Sequence, residues 1–302
     1  MSAKPSPKIL ITGATGNIGK ELTKLLSENG IKLRALVRSV DQAKELARLP
    51  GAELVEGDFN DPISLGNALL GIEKAFLLTN SSELAEKQQS SFVEVAKSTG
   101  LKHIVKLSQW AADLESPVRF LRYHAVVEKL IKESGIAYTF LRPNLFMQGL
   151  LGFQDTIINK GEFYGAIGDS RISLIDIRDI AAVAMETLTI SGHEEKIYNL
   201  TGPESLTHTE LAEKLSNKTG RTVKFIDITP EMLIDTLLQV GFPKWQAEGL
   251  VEDYAHYKAG EASQIRSGVM EAIGKEPRNF DQFAEDYARY FVPDVRKTTP
   301  IF

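Results

Sequence analysis

Residues 8–30 read KILITGATGNIGKELTKLLSENG, an apolar run that meets a glycine-rich turn and then a helical pattern. Ile9, Leu10 and Ile11 are continuously apolar, as a strand covered on both faces by helices requires. Ile18, Leu22, Leu25 and Leu26 recur at helical spacing before Gly30 ends the pattern. Between them Gly13, Gly16 and Gly19 form G-x-x-G-x-x-G. Glycine at such points lets the chain turn tightly, brings bare amides up to a pyrophosphate and packs helix close on strand. The helix start adds unpaired N–H groups and the positive end of its dipole, so Gly13, Thr15, Gly16, Asn17, Ile18 and Gly19 form the expected phosphate cradle. Any tight strand-to-helix turn favours glycine. The context raises the reading: a second apolar strand, Leu33–Val37, completes a βαβ unit of the expected size of roughly 30 residues.

The second strand runs out at Arg38, followed by Ser39. In dinucleotide folds this tip, about 20 positions past the glycine loop, faces the adenosine ribose; a carboxylate there binds the 2′-hydroxyl and an arginine the 2′-phosphate. No carboxylate occupies the tip, so Arg38 points to NADP(H) over NAD(H), because a guanidinium holds phosphate through two parallel charge-assisted bonds. A solvated surface arginine is the alternative. A helix is expected over 41–49, then a third strand within AELVEGDFNDP. Its tail sets Asp58 to accept from an adenine amino group and Phe59 to lie against the base; a turn role for Asp58 is the alternative, and Asp61-Pro62 caps the next helix. The fourth strand, KAFLLTN, delivers Thr79 and Asn80 to the same edge, where ligands bind in open α/β sheets.

A helix through Leu84, Gln88, Phe92, Val95 and Ala96 closes at Gly100, and a fifth strand, HIVKLSQWAA, ends at Ser108. The next helix, opened by Ser116-Pro117, runs to Gly135 with Phe120, His124, Val127 and Ile131 on one buried stripe, so His124 faces inward. A sixth strand, AYTFLRP, stops at Pro143; Asn144, Leu145, Phe146 and Met147 follow as an apolar lip placed to close over a flat ligand. Beyond about residue 150 come KGEFYGAIGD, a short strand RISLID, the helix DIAAVAMETLTI, the strand KIYNLTG, a helix begun by the capping box Thr207/Glu210, the strand VKFIDIT and further helices. The expected architecture is α/β: a doubly wound parallel sheet of Rossmann type over residues 1–150 and a smaller, helix-rich substrate lobe over 151–302, some of whose segments are free to return to the sheet. That lobe would build the substrate cleft.

At 302 residues, 43% hydrophobic and 25% charged, the chain can bury a large core. A net charge of −5 with mixed signs and no Lys or Arg run argues against nucleic acid or anionic membrane as a partner. Cysteine is absent, which removes disulfides, thiolate metal ligands and cysteine nucleophiles and suits a reducing cytoplasm; no metal site is expected. The N-terminal MSAKPSP lacks the apolar core of a signal peptide, and no apolar segment reaches the roughly 18 residues of a membrane span. A cytoplasmic protein is expected.

TGATGNIG, ALVRS, GDFNDP and especially YHAVVEKLIKESGIAYTFLRPNLFMQ resemble the NmrA-like branch of the atypical short-chain dehydrogenase/reductases, close to the NADPH-dependent quinone and azo-dye reductase types. The resemblance covers the chain to about residue 240. His124, Glu128, Ser134-Gly135-Ile136, Tyr138-Thr139 and Leu141-Arg142-Pro143 fit the family pattern position by position. It implies an NADP-type cofactor held by the first lobe, with the nicotinamide near Ser108, His124, Pro143 and Asn144.

The departures from the wider group carry information too. Ordinary short-chain dehydrogenases pair a tyrosine with a lysine four residues on, which lowers the phenol's pKa. Here Tyr123 is followed at that spacing by Val127, and Lys129 points about 200° off that seam. Tyr138 is followed by Arg142, and Tyr257 has no lysine at four. The isoflavone-reductase relatives carry a catalytic lysine at the place of Phe120.

Two functions stay open. One is a reductase moving hydride from NADPH to a flat, electron-poor small molecule such as a quinone, with His124 and Ser108 as catalytic candidates and Asn144, Phe146 and Met147 against the acceptor. His124 satisfied by Glu128 in the core is the bland alternative. The other is a non-catalytic sensor whose dinucleotide occupancy alters contacts with a protein partner. A homodimer is compatible with either.

Overall fold

In the computed structural model, which describes residues 7–293, the apolar run of the opening stretch is strand β1 (Ile9–Ile11) and its periodic half is helix α1 (Asn17–Glu28). MSAKPS, part of the stretch read as lacking a leader, lies outside the described residues. Then follow β2 (Leu33–Val37), α2 (Lys44–Ala47), β3 (Ala52–Glu56), α3 (Pro62–Leu69), β4 (Lys74–Leu77), α4 (Ala85–Lys97), β5 (His103–Leu107), α5 (Arg119–Glu133) and β6 (Ala137–Pro143). The later chain gives α6 (Gln154–Lys160), β7 (Glu162–Gly165), α7 (Ile177–Thr189), β8 (Lys196–Leu200), α8 (His208–Thr219), β9 (Lys224–Asp227), α9 (Pro230–Gln239), α10 (Lys244–Lys258), α11 (Gly268–Ile273) and α12 (Phe280–Tyr287).

Seven strands form one parallel sheet in the order β3-β2-β1-β4-β5-β6-β8. The order reverses between β1 and β4, the switch point outside which open α/β sheets bind ligands. Leu10, Ala75, Leu77, Ile104 and Phe140 point to one face and pack with Leu65, Phe92, Val127 and Ile131 of α3, α4 and α5. Their strand neighbours Ile11, Phe76, Val105 and Leu141 are equally buried, so the other face is covered too; there α1 and α7 pack on each other. Burial on both faces explains why these strands read as apolar runs and not as alternations.

Two compact units result. The first runs through Pro143 and regains Ile177–Leu200 and Ser267–Glu276, so the break falls earlier than residue 150 and β8 extends the main sheet. The second comprises Asn144–Asp176, Thr201–Arg266 and, among the described residues, 277–293. Its core gathers Phe163, Ile172, Leu211, Leu215, Phe280 and Phe283 around the parallel pair β7-β9.

Local chemistry sets most element ends. Asp61 accepts from the Ile63 N–H with Pro62 opening α3, and Thr207 and Glu210 close a reciprocal box on α8. Three segments depart from their sequence patterns. Residues 41–49 form a 3-10 turn, Asp41–Ala43, and one helical turn. Ser116-Pro117 precedes α5 as a turn, the Ser116 hydroxyl accepting from the Val118 N–H. RISLID makes only single bridges, because the Ser173 N–H donates to the Ala262 carbonyl and its hydroxyl reaches the loop carbonyls of Ala262 and Gln264. Among the described residues no helix is long and apolar enough to cross a membrane.

Candidate active site

At the carboxyl end of β1, buried Thr12 ties the strand to β4: its hydroxyl bridges the Phe76 and Leu78 carbonyls and accepts the Leu78 N–H at 2.8 Å. The loop that follows is pinned by its outer glycines. Gly13 sits at φ +62°, and a Cβ on it would lie 2.8 Å from the Leu78 Cγ. A Cβ on Gly19 would fall 2.1 Å from the Gly13 carbonyl oxygen. Gly16 differs. A Cβ there meets only that oxygen, at 3.4 Å, and the residue is exposed. The backbone therefore requires glycine at Gly13 and Gly19, whereas packing within the fold does not explain the glycine at Gly16.

Gly16 is also the N-cap of α1, with no side-chain cap and no acid in the first turn. The positive end of the dipole is thus left unanswered. Thr15 and Asn17 are exposed beside it, while the Ile18 side chain is buried in the core and leaves only its backbone toward the loop. This is the arrangement a diphosphate fits.

Arg38 lies one residue past β2, exposed and without a protein partner among the described residues. The carboxylate nearest in sequence-paired position, Glu56 on β3, instead accepts the Val40 N–H at 2.9 Å. Asp58 proves to be a turn residue: one oxygen accepts both the Asn60 N–H at 2.7 Å and the Asn60 side-chain amide at 2.8 Å. The Phe59 ring leans on Phe92, 6.0 Å between centroids, in the core cluster. Both corrections have one cause: tight turns use short polar side chains locally, and a half-buried ring finds apolar neighbours. Thr79 accepts from Gln89 at 2.8 Å, and Asn80 is exposed at the β4 edge.

On the α5 side of β5 and β6 the side chains form a buried polar cluster. Ser108 and Arg142 both donate to Glu128, Ser108 at 2.5 Å and the Arg142 Nε at 2.9 Å with a second guanidinium nitrogen on the other oxygen. His124 is therefore not satisfied by Glu128. Its Nδ1 lies 2.7 Å from the Nζ of Lys106, which also donates to the Leu107 carbonyl at 3.0 Å. Lys106 is fully buried and His124 is 7% exposed. Burial pushes the Lys106 ammonium down to about 7, with Glu128 opposing and Arg142 assisting. Burial, then the Lys106 and Arg142 charges, hold His124 well below the usual imidazole range, so it is neutral.

While Lys106 is an ammonium it has only donors, so the His124 Nδ1 facing it accepts and in that state the proton sits on Nε2. Nε2 meets no protein partner among the described residues. The Tyr123 ring leans against the imidazole, tilted by 32° with centroids 4.2 Å apart, and its hydroxyl shares a 3.0 Å hydrogen bond with Ser81. Lys129 points outward to Glu133, as its helical angle requires.

Lys106 is the residue the motif reading passed over. Its signal was a lysine inside the strand HIVKL, since a cation between two helix layers has to pair within the fold.

In the second unit, Asn144 is consumed structurally: its amide donates to the Ser173 hydroxyl and the Ala262 carbonyl, and its oxygen accepts the Leu145 N–H. Met147, 2% exposed, belongs to that unit's core. Neither is a lip. Phe146 stays partly exposed, and Pro143 is buried at the end of β6, its carbonyl accepting from Trp110. Among the described residues no group of three or more His, Asp or Glu is placed to hold a metal.

The NAD(P)H azoreductase of Xenophilus azovorans is 36% identical over 283 residues, 94% of this chain and 99% of that protein. Quinone oxidoreductase 2 of Escherichia coli (strain K12) is 33% identical over 248 residues, 81% of this chain and 86% of that one. In three dimensions the chain is similar to an Escherichia coli NADPH-dependent quinone oxidoreductase complexed with NADPH, at TM-score 0.83 and 28% identity over 92% of this chain and 99% of that one. It is likewise similar to the Citrobacter sp. triphenylmethane reductase complexed with NADP(H), at TM-score 0.82 and 28% identity, covering 93% and 99%. A family model for the NmrA-like family matches residues 5–284, and the chain belongs to that family.

Proposed function

We propose that this protein is an NADPH-dependent reductase that delivers hydride to a small planar acceptor such as a quinone. The observation that carries the reading is the pairing, in one unit, of an uncapped helix start bared at Gly16 with an exposed, unpartnered Arg38 one residue past β2. The amides at the start of α1 would hold the pyrophosphate and Arg38 the 2′-phosphate. When bound, the nicotinamide supplies hydride. The chain's own residues then have two tasks: orienting the acceptor and handling one proton, for which the Nε2 proton of neutral His124 is available. Relatives that are an NAD(P)H azoreductase and a quinone oxidoreductase support the reductase class. The buried Lys106–His124 pair favours it over a purely binding role, because it provides proton handling where the Tyr/Lys pair is missing.

Purified protein mixed with NADPH and a panel of small quinones should consume the reduced nicotinamide above a boiled control. Tight NADPH binding with no turnover of any acceptor would overturn the reductase and leave the sensor. Arg38→Glu replaces a phosphate clamp with a repulsion, so calorimetric titration should show NADPH weakened by about 100-fold and NADH little changed. Equal loss for both nucleotides would refute the assignment of Arg38.

A further inference from the structure

We propose that Lys106 and His124 form a two-step proton relay, in which His124 gives its Nε2 proton to the reduced acceptor while Lys106 replaces it at Nδ1. The proposal rests on the reductase reading and adds the source of the proton. A neutral imidazole alone is a very weak acid, because losing its proton leaves an anion. With an ammonium 2.7 Å from Nδ1 the same loss leaves a neutral imidazole of the other tautomer. The balance is simple: the acceptor takes hydride and then one proton from Nε2, Nδ1 takes one proton from Nζ, and Lys106 ends as a neutral amine. After product leaves, water protonates Nε2 and the Nδ1 proton returns to Nζ.

The rest of the cluster suits this role. The charged and titratable groups facing Lys106 are His124 and Glu128 from α5 and Arg142 from β6. Glu128 is occupied by Ser108 and Arg142 and so does not draw the ammonium's proton away. Burial that brings Lys106 to about 7 makes the transfer cheap near neutrality. Lys106 touches no acceptor itself. It is a positioning residue that acts through His124.

Acceptors differ in how much they need that proton. An azo bond that has taken hydride is a strongly basic nitrogen anion, whereas a triarylmethyl cation that has taken hydride is neutral and needs none. With NADPH and saturating acceptor, Lys106→Met should lower the ratio of azo-dye to triarylmethyl-cation turnover at least about tenfold. A purely structural lysine would lower both alike and leave the ratio unchanged, which overturns the relay. If the wild type reduces neither acceptor, the reductase reading fails separately. The tautomer is readable without turnover: in the 15N spectrum of wild-type protein at pH 6, the histidine signal lost in His124→Gln should be neutral and protonated at Nε2. An Nδ1-protonated or fully charged ring there would overturn the relay whatever the kinetics.

Discussion

Each unit of the molecule buries a neutral histidine, and the two surroundings have almost nothing in common. His124 in the first unit faces an ammonium, with Glu128 and Arg142 paired beside it, and keeps Nε2 unpartnered. His208, the first residue of α8 in the second unit, sits among Phe225, Phe163 and Tyr254 with centroids 5.0, 5.9 and 6.1 Å away. Its Nδ1 is buried with no hydrogen-bond partner among the described residues. Burial depresses both, His208 to about 4. Depressed basicity by itself thus does not separate a packing histidine from the proposed proton donor. What distinguishes them is the ammonium 2.7 Å from one ring nitrogen of His124, where the His208 Nδ1 has no hydrogen-bond partner among the described residues.

The largest expected effect is at Glu128. Glu128→Ala leaves the partly exposed Arg142 guanidinium and the buried Lys106 ammonium without a counter-charge, and should cost about 3–5 kcal/mol by urea unfolding. A loss under about 1 kcal/mol would show water in the cluster and erase its contrast with the aromatic box.

His208→Phe should act in the opposite sense, removing an orphaned polar atom. The wild-type ring binds a proton only when unfolded between its folded value of about 4 and the ordinary 6.5, so the stability it contributes above 6.5 drains away as pH falls toward 4. The variant should lose on the order of 3 kcal/mol less than wild type over that window. His103, also held to about 4 chiefly by burial, keeps its own share of the acid loss in both proteins. Identical acid limbs in the unfolding curves would mean His208 is not the neutral, unpartnered ring described.

Lys106→Met sharpens the comparison at the other end of the pH scale. Between about 7 and the ordinary 10.5 the unfolded lysine holds a proton that the folded one does not, so wild-type stability rises with pH relative to the variant. Unfolding at pH 7 and 9 should show a relative gain of about 2 kcal/mol. A constant difference would place the Lys106 charge in contact with solvent.

The pattern of legibility follows from the range of the interactions. The glycine loop, the apolar strands and the caps at Asp61 and Thr207 could be read because each is decided within a few residues of chain. The Asp58 turn was legible as one of two alternatives, whereas Phe59 was legible as a residue type but not in its partner, because the ring of Phe92 competes for it. Met147 looked like a lip and is core, because an apolar side chain carries no mark of which apolar surface it meets.

From the order of residues alone came the periodicities, the three glycines and the single arginine at the strand tip: properties of local backbone sterics and of burial on two faces. Only the folded chain decided which charges share one buried space. Lys106 and His124 are far apart in sequence and meet because the β4-β5-β6 pairing and the seating of α5 turn both toward the same side of the sheet. A long-range electrostatic contact of this kind depends on sheet register and helix docking together, and neither is written in the spacing of the two residues.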